Sequence, residues 1–277
     1  MYKRQLGYCV ILQVLEEWEN AIGNSCDIVL VLRGLSKYAP KKHQINFMWN
    51  ISHPDKISIE EYNSYDTVFI ASLLWAKTIQ QQTTTPIETM LQCSDITRFK
   101  PTEEKISDYS NQLLFVGNSR KVYRKIIQDL LPTPYELSIY GNDWENFVDA
   151  KYIKGKHIEN KELYKYYSNA DIVLNDHWDD MKEKGFISNR IFDVIASGGF
   201  IITDKVEGIE EIFGNSIVTY TDATDLKEKI NFYIQNQKER KEKLILAQNI
   251  IASQHRFQDR ALQFSQHIKK LMDIRTK

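Results

Sequence analysis

The stretch "KGFISNRIFDVIASGGFIITD", residues 184–204, sets polar side chains at helical spacing between glycine breaks. Read as a helix over Ser188–Ser197, it places Ile191, Phe192, Val194, Ile195 and Ala196 on one broad arc. Asn189, Arg190, Asp193 and Ser197 fill the remainder. An ordinary surface helix with a solvated face has the same pattern. Position favours ligand binding instead. The helix opens after the strand "DIVLND", and open α/β sheets bind ligands at the carboxyl ends of their strands. The unpaired N–H groups and positive dipole end of a helix start suit a phosphate. Asp193 lies one turn beyond Asn189 on the same face, where a carboxylate can accept two hydrogen bonds from a ribose diol.

A second loop has similar chemistry. "LLFVGNSRKVYRKII" puts Gly117 and Asn118 directly after a strand and Arg120 at the expected start of a helix. Glycine lets backbone approach an anion, and arginine offers a charged fork to phosphate oxygens. The spacing is neither that of a P-loop nor G-x-G-x-x-G. Arg120, Ser188, Asn189, Arg190 and Asp193 are expected to converge on one cleft.

Two histidines are candidate catalytic groups. "NDHWDDMKEKG" holds Asp176, His177, Asp179 and Asp180. Carboxylates and imidazole can ligate a metal, but adjacent residues rarely all face one ion. The stretch is read as a polar loop at a strand end, with His177 facing the cleft and no metal. His53, in "WNISHPD", precedes Pro54, so an extended backbone is expected where the strand stops. A loop histidine and an active-site base both fit that position.

These residues need strands and helices to position them. "CDIVLVLR", "QINFMWNI", "DTVFIAS" and "PIETMLQ" read as a first series of strands. "LLFVGN", "YELSIYG", "YIKGKHI", "DIVLND", "GFIITD" and "SIVTY" form a second. Nearly continuous apolar strands separated by helical patterns imply parallel sheets covered on both faces. The fold class is therefore α/β, with two Rossmann-like, doubly wound parallel-sheet domains. The polar stretch around residues 100–111 is the expected linker. The domains are set at residues 1–105 and 106–250, with a C-terminal helix at 251–277. In "RFQDRALQFSQHIKKLM", Phe257, Leu262, Phe264 and Ile268 are expected along one face of that helix.

Composition narrows the function. The chain has 277 residues, 42% hydrophobic and 12% aromatic, enough for a real core. A net charge of −1 with no basic face argues against a nucleic-acid partner. Three scattered cysteines, Cys9, Cys26 and Cys93, point to a reducing compartment. No apolar run is long enough to span a bilayer, and no cleavage site follows the apolar start. A cytoplasmic location is expected, with peripheral membrane contact left open.

Residues 112–221 resemble the donor-binding domain of GT-B glycosyltransferases of the group-1 type, nearest the CgeB-like branch. The matching text is "LLFVGNSR", "LSIYGNDW", "NKELYKYYSNADIVLNDHW", "GFISNRIFDVIASGGFIITD" and "GIEEIFG". "DIVLVLRG", "INFMWNISHPDKISIEEYNSYDTVFIAS" and "LQCSDITRFKP" are similar to the later part of the acceptor-side domain. The resemblance implies two domains facing a cleft, with the last helix crossing back to the first. It implies sugar transfer from a nucleotide-diphospho-sugar to a glycan or other envelope acceptor, with no further cofactor. By similarity, Asp193 holds the ribose, and Ser188 and Asn189 lie beside the diphosphate. Gly117 and Arg120 match the first glycine loop. Catalysis would then be largely electrostatic. In many retaining members two Glu residues stand eight positions apart. Here the second is Asp193 and the first is Gly185, which leaves the sugar contact and the stereochemistry open. The lack of an Asp-x-Asp motif suits a metal-independent enzyme.

A nucleotide-sugar epimerase and a non-catalytic sugar-nucleotide-binding module of a larger protein are the alternatives. The opening "MYKRQ" reads like translated sequencing adapter, so an N-terminally truncated fragment with an incomplete first domain is expected. On that reading Val10, Ile11, Leu12 and Leu15 sit at the margin of a sheet that ends near "DIVLVLRG".

Overall fold

The computed structural model describes residues 6–18 and 20–275. The "MYKRQ" segment lies outside the described residues. The chain forms two compact units. The first comprises Met1–Gln92, Asp179–Ile187 and Phe257–Lys277; the second comprises Cys93–Trp178 and Ser188–Arg256. Residues 93–105 thus go with the second unit, and the segment Asp179–Ile187 leaves it for the first.

The first unit is built on a parallel sheet of four strands in the order β1-β2-β3-β4. These are β1 (Ile28–Arg33), β2 (Ile45–Asn50), β3 (Thr67–Ile70) and β4 (Ile87–Thr89). Every residue of β2 and β3 is buried, as expected of inner parallel strands covered on both faces. The helix Leu73–Gln80 starts where Ser72 accepts a hydrogen bond from the Trp75 N–H. The helix Phe257–Arg275 lays Phe264 edge-on against Phe47, centroids 4.8 Å apart, and against Phe69. The expected apolar row of this helix is corrected. Phe257 and Leu262 are exposed, and Ala261, Phe264, Ser265 and Ile268 face inward. That inward set steps by three and four residues, the true period of a helical face. At the other margin β1 ends the sheet, while Ile11, Leu12 and Leu15 are exposed and Leu12 is 85% accessible.

The second unit holds six parallel strands in the order β10-β9-β8-β5-β6-β7. They are β5 (Asn111–Val116), β6 (Leu137–Tyr140), β7 (Ile153–Gly155), β8 (Ala170–Asn175), β9 (Ile201–Asp204) and β10 (Val218–Tyr220). The chain runs outward from β5 to β7, then returns to the other side of β5 at β8. This is the doubly wound order, and its reversal point lies between β5 and β8. Phe115, Leu113, Ile172, Leu174 and Ile202 pack with Ile126, Ile127 and Trp144 into the core under the sheet. The Gly-Gly break after the helix Asn189–Ala196 has two causes. Gly198 is left-handed at φ +80°, and a Cβ on Gly199 would collide with the Tyr167 carbonyl.

Among the described residues, no helix is long and apolar enough to cross a membrane.

Candidate functional site

The reversal point of the second sheet gathers the loops that follow β5 and β8. Gly117 directly follows β5, and its N–H donates to the Tyr140 carbonyl at 2.8 Å. Its own carbonyl accepts from the fully buried indole of Trp144 at 2.8 Å. A side chain at Gly141 would collide with that carbonyl, so the loops after β5 and β6 run backbone against backbone. Asn118 joins the same pair of loops, accepting from the Asn142 N–H at 2.9 Å. The absent side chain of Gly117 leaves room for Arg190: a Cβ there would stand 3.0 Å from Nη2.

Arg190 reaches this point from the helix Asn189–Ala196. Ile191, Phe192, Val194, Ile195 and Ala196 are buried on the core side of that helix. Full burial of a side chain such as Phe192 stabilises by roughly 1.5–3 kcal/mol, which fixes the helix rotation and sends the polar stripe outward. Ser197 departs from the expected stripe. It is fully buried, and its hydroxyl donates back to the Asp193 carbonyl at 2.7 Å. Arg190 donates from Nη1 to the Asn175 carboxamide oxygen at 2.5 Å, and its guanidinium lies 5.6 Å from the Phe115 ring centroid. Asn175 is held in turn, donating to Thr203 at 2.9 Å.

Two more arginines line up with Arg190. Arg124 lies 5.7 Å from the same Phe115 ring and 4.5 Å from Trp178. Arg120 lies 5.4 Å from Trp178. Arg124 is buried and neutralised, since it pairs with the Asp176 carboxylate and also donates to the Asp176 carbonyl at 3.1 Å. Among the described residues, Arg120 and Arg190 make no ion pair with a carboxylate. Two cations with no carboxylate at ion-pair distance, Arg190 acting on Asp193 only at longer range, therefore flank a glycine turn at the carboxyl ends of adjacent parallel strands. That arrangement can hold an anion with several acceptor oxygens. Arg120 does not begin a helix as expected. It and Lys121 are left-handed, at φ 56° and 62°, and the helix starts only at Lys125. The Ser119 hydroxyl, donating to the Val122 carbonyl at 2.7 Å, closes that turn.

Asp193 accepts from two neutral donors. Asn189 Nδ2 lies 2.8 Å from Oδ2, and Ser94 Oγ lies 2.7 Å from Oδ1. Burial pushes its carboxyl up to about 7, against the pull of those two hydrogen bonds and of Arg190. Ser188 is the N-cap, but its side chain caps nothing.

His177 does not face a cleft. Its side chain is fully buried, with Nδ1 2.6 Å from Asp204 Oδ1 and Nε2 accepting from the Ser188 N–H at 2.9 Å. Both ring nitrogens are committed, so the expected catalytic role has no free nitrogen to act through. The other polar residues of that loop diverge. Asp176 goes to Arg124, and Asp180 lies 3.9 Å from His53. Among the described residues, no group of three or more His, Cys, Asp or Glu gathers as a metal site.

His53 belongs to the first unit. Its backbone is left-handed, φ 52° and ψ 53°, not extended. Pro54 opens a 3-10 turn, and the Lys56 N–H returns to the His53 carbonyl at 3.0 Å. Buried Arg33, paired with Glu61 at 2.7 Å, donates to the Lys56 carbonyl at 2.9 Å and holds that turn. This over-determined loop keeps His53 in its uncommon conformation.

A profile of the glycosyl transferase-like family matches residues 120–266, more than half of the chain. The chain belongs to that family. The spore protein CgeB of Bacillus subtilis (strain 168) is 28% identical over 148 residues, covering 48% of this chain and 46% of CgeB. The chain spans about half the length of this curated relative. Sucrose-phosphate synthase from Thermosynechococcus elongatus aligns with TM-score 0.64 at 12% identity, over 84% of this chain and 69% of that one. A glycosyltransferase from Rickettsia africae aligns with TM-score 0.61 at 14% identity, over 91% and 78%. Anabaena Alr3699/HepE, solved in complex with UDP, aligns with TM-score 0.60 at 14% identity, over 83% and 72%. This family member is thus of the group-1, CgeB-like type, and its two parallel sheets are the Rossmann-like units of the GT-B fold.

Arg124, Asn175, Trp178, Phe115 and Ser94 were not singled out by sequence reasoning, and Asp176 was weighed only as a metal ligand, not as the partner of Arg124. The run "RKVYRK", four basic residues in six, is a signal that could have pointed near Arg124.

Proposed function

We propose that the protein transfers a sugar from a nucleotide-diphospho-sugar to a glycan or other cell-envelope acceptor, without a metal, in the cytoplasm. The second unit is the donor-binding domain and the first the acceptor side. The observation that carries this reading is the pair Arg190 and Gly117. A guanidinium with no carboxylate at ion-pair distance among the described residues lies against a glycine turn at the reversal point of the sheet. Arg190 and Arg120 would neutralise the diphosphate, and Asp193 would accept from the ribose hydroxyls. The same cations would stabilise the charge that develops on the departing nucleoside diphosphate.

A panel of nucleoside diphosphates in thermal-shift assays tests the reading, with UDP first because HepE was solved with it. A ligand at a hundredfold over its Kd raises stability by about 2.7 kcal/mol. Arg190→Ala should abolish the shift. Absence of a shift in the parent protein with every member of the panel would remove the donor-site reading.

A binding module without turnover is the second reading, and one observation favours it. Gly185, at the place of the expected sugar-contacting Glu, is left-handed at φ 68°, and Glu183 is exposed. Donor hydrolysis or transfer by the protein would exclude this reading.

A further inference from the structure

We infer that His177 is a positioning residue, a clasp that fixes the start of the Asn189–Ala196 helix for the donor. The inference rests on the donor-site reading above. The chain leaves the second unit after Trp178 and re-enters it at Ser188. The hydrogen bond from the Ser188 N–H to His177 Nε2, 2.9 Å long, ties the two ends of that excursion together. An amide N–H only donates, so Nε2 must be the unprotonated nitrogen of a neutral ring. Nδ1 then carries the proton and donates it to Asp204 Oδ1, 2.6 Å away. Asp204 is fixed from two further directions: Oδ2 accepts the His177 N–H at 3.3 Å, and Oδ1 accepts from Thr203 at 3.2 Å.

The usual acceptor for the N–H of an N-cap residue is a Glu or Gln side chain at the third helical position, and here that position is Ile191. The Ser188 hydroxyl caps nothing either. The acceptor comes instead from the end of β8, and its orienting carboxylate from the end of β9. The helix start is thereby registered against the sheet. That register decides where Asn189, Arg190 and Asp193 stand relative to Gly117. A side chain that lost the Nε2 acceptor would release the Ser188 N–H and let the helix start drift. The buried imidazole thus acts through the helix and touches no reacting atom.

Two substitutions separate the two ring nitrogens. His177→Gln can return an oxygen near Nε2, and His177→Asn can satisfy only the Asp204 side. Calorimetric titration with UDP should find the Gln variant within about threefold of the parent and the Asn variant about tenfold weaker or more. Equal losses in both variants, or none in either, would overturn the clasp. Imidazole ¹⁵N shifts at neutral pH should report a protonated Nδ1 and a bare Nε2. The opposite tautomer or an imidazolium would also overturn it. Should the parent bind no nucleoside diphosphate, the donor-site reading falls alone. The ¹⁵N shifts still decide the clasp, as does amide exchange of Ser188, expected slow in the parent and the Gln variant and fast in the Asn variant.

Discussion

Asn189 donates to Asp193 across one helical turn, Nδ2 to Oδ2 at 2.8 Å, and leaves the carboxylate with a neutral partner on that side. The other oxygen also meets a neutral donor, the Ser94 hydroxyl at 2.7 Å. Burial outweighs these two hydrogen bonds and the pull of Arg190, so the carboxyl holds its proton up to about 7 in the folded chain. The unfolded chain releases the same proton near 3.8. Above that pH the unfolded state binds fewer protons than the native one, so stability falls as pH rises toward 7. Asp193→Asn should therefore raise the melting temperature at pH 8, by about 2–4 °C per kcal/mol recovered, and do so far less at pH 4. Scanning calorimetry at the two pH values checks this. An equal effect at both would mean that the carboxyl is not strongly perturbed.

If Asp193 accepts from the ribose as proposed, the same carboxylate sets donor affinity. Only the ionised form offers acceptor lone pairs alone, so UDP binding should strengthen about tenfold between pH 6 and pH 8 in the parent. Asp193→Asn should flatten that dependence relative to the parent. Asp193→Ala should cost about 1.5–3 kcal/mol for each hydrogen bond lost from the charged group. Titration calorimetry across the pH range reads all three. Unchanged affinity in the Ala variant would refute the ribose role.

Arg124 and Asp176 form a buried pair whose side chains are 8% and 3% exposed. Asp176→Ala leaves a buried guanidinium without its counter-charge and should destabilise by about 3–5 kcal/mol. Arg124→Met with Asp176→Leu removes both charges and should fold with stability near that of the parent. Urea denaturation of the single and double variants measures the difference. A single variant as stable as the parent would show that Arg124 finds another partner.

His53 stands 3.9 Å from Asp180 with its side chain 18% exposed, in a turn locked by Arg33. If it serves as base or charge stabiliser, His53→Ala should lower turnover by about 10²-fold or more and leave UDP affinity unchanged. Steady-state kinetics beside the same titration tests this. Unchanged turnover would make His53 a loop residue.

Local pattern carried much of this protein. Alternation of apolar strands with helical segments was enough for two parallel sheets, because burial on both faces makes each strand apolar along its whole length. The arc of Ile191, Phe192, Val194, Ile195 and Ala196 was enough for the helix and its outward face, since periodicity depends on neighbours only a few residues away. Partnership was not legible. His177 and Asp204 are 27 residues apart, Arg124 and Asp176 are 52 apart, and Ser94 and Asp193 are 99 apart. The first two pairs exist because the strand order sets β5 beside β8 and β8 beside β9, bringing the strand ends to one edge of the sheet, and Ser94 is set in place by its N–H, which donates to the His255 carbonyl at 2.9 Å. A histidine at a strand end reads the same in sequence whether it meets solvent or an aspartate. Packing of the second unit enclosed the ring, and the enclosure turned a candidate base into a clasp.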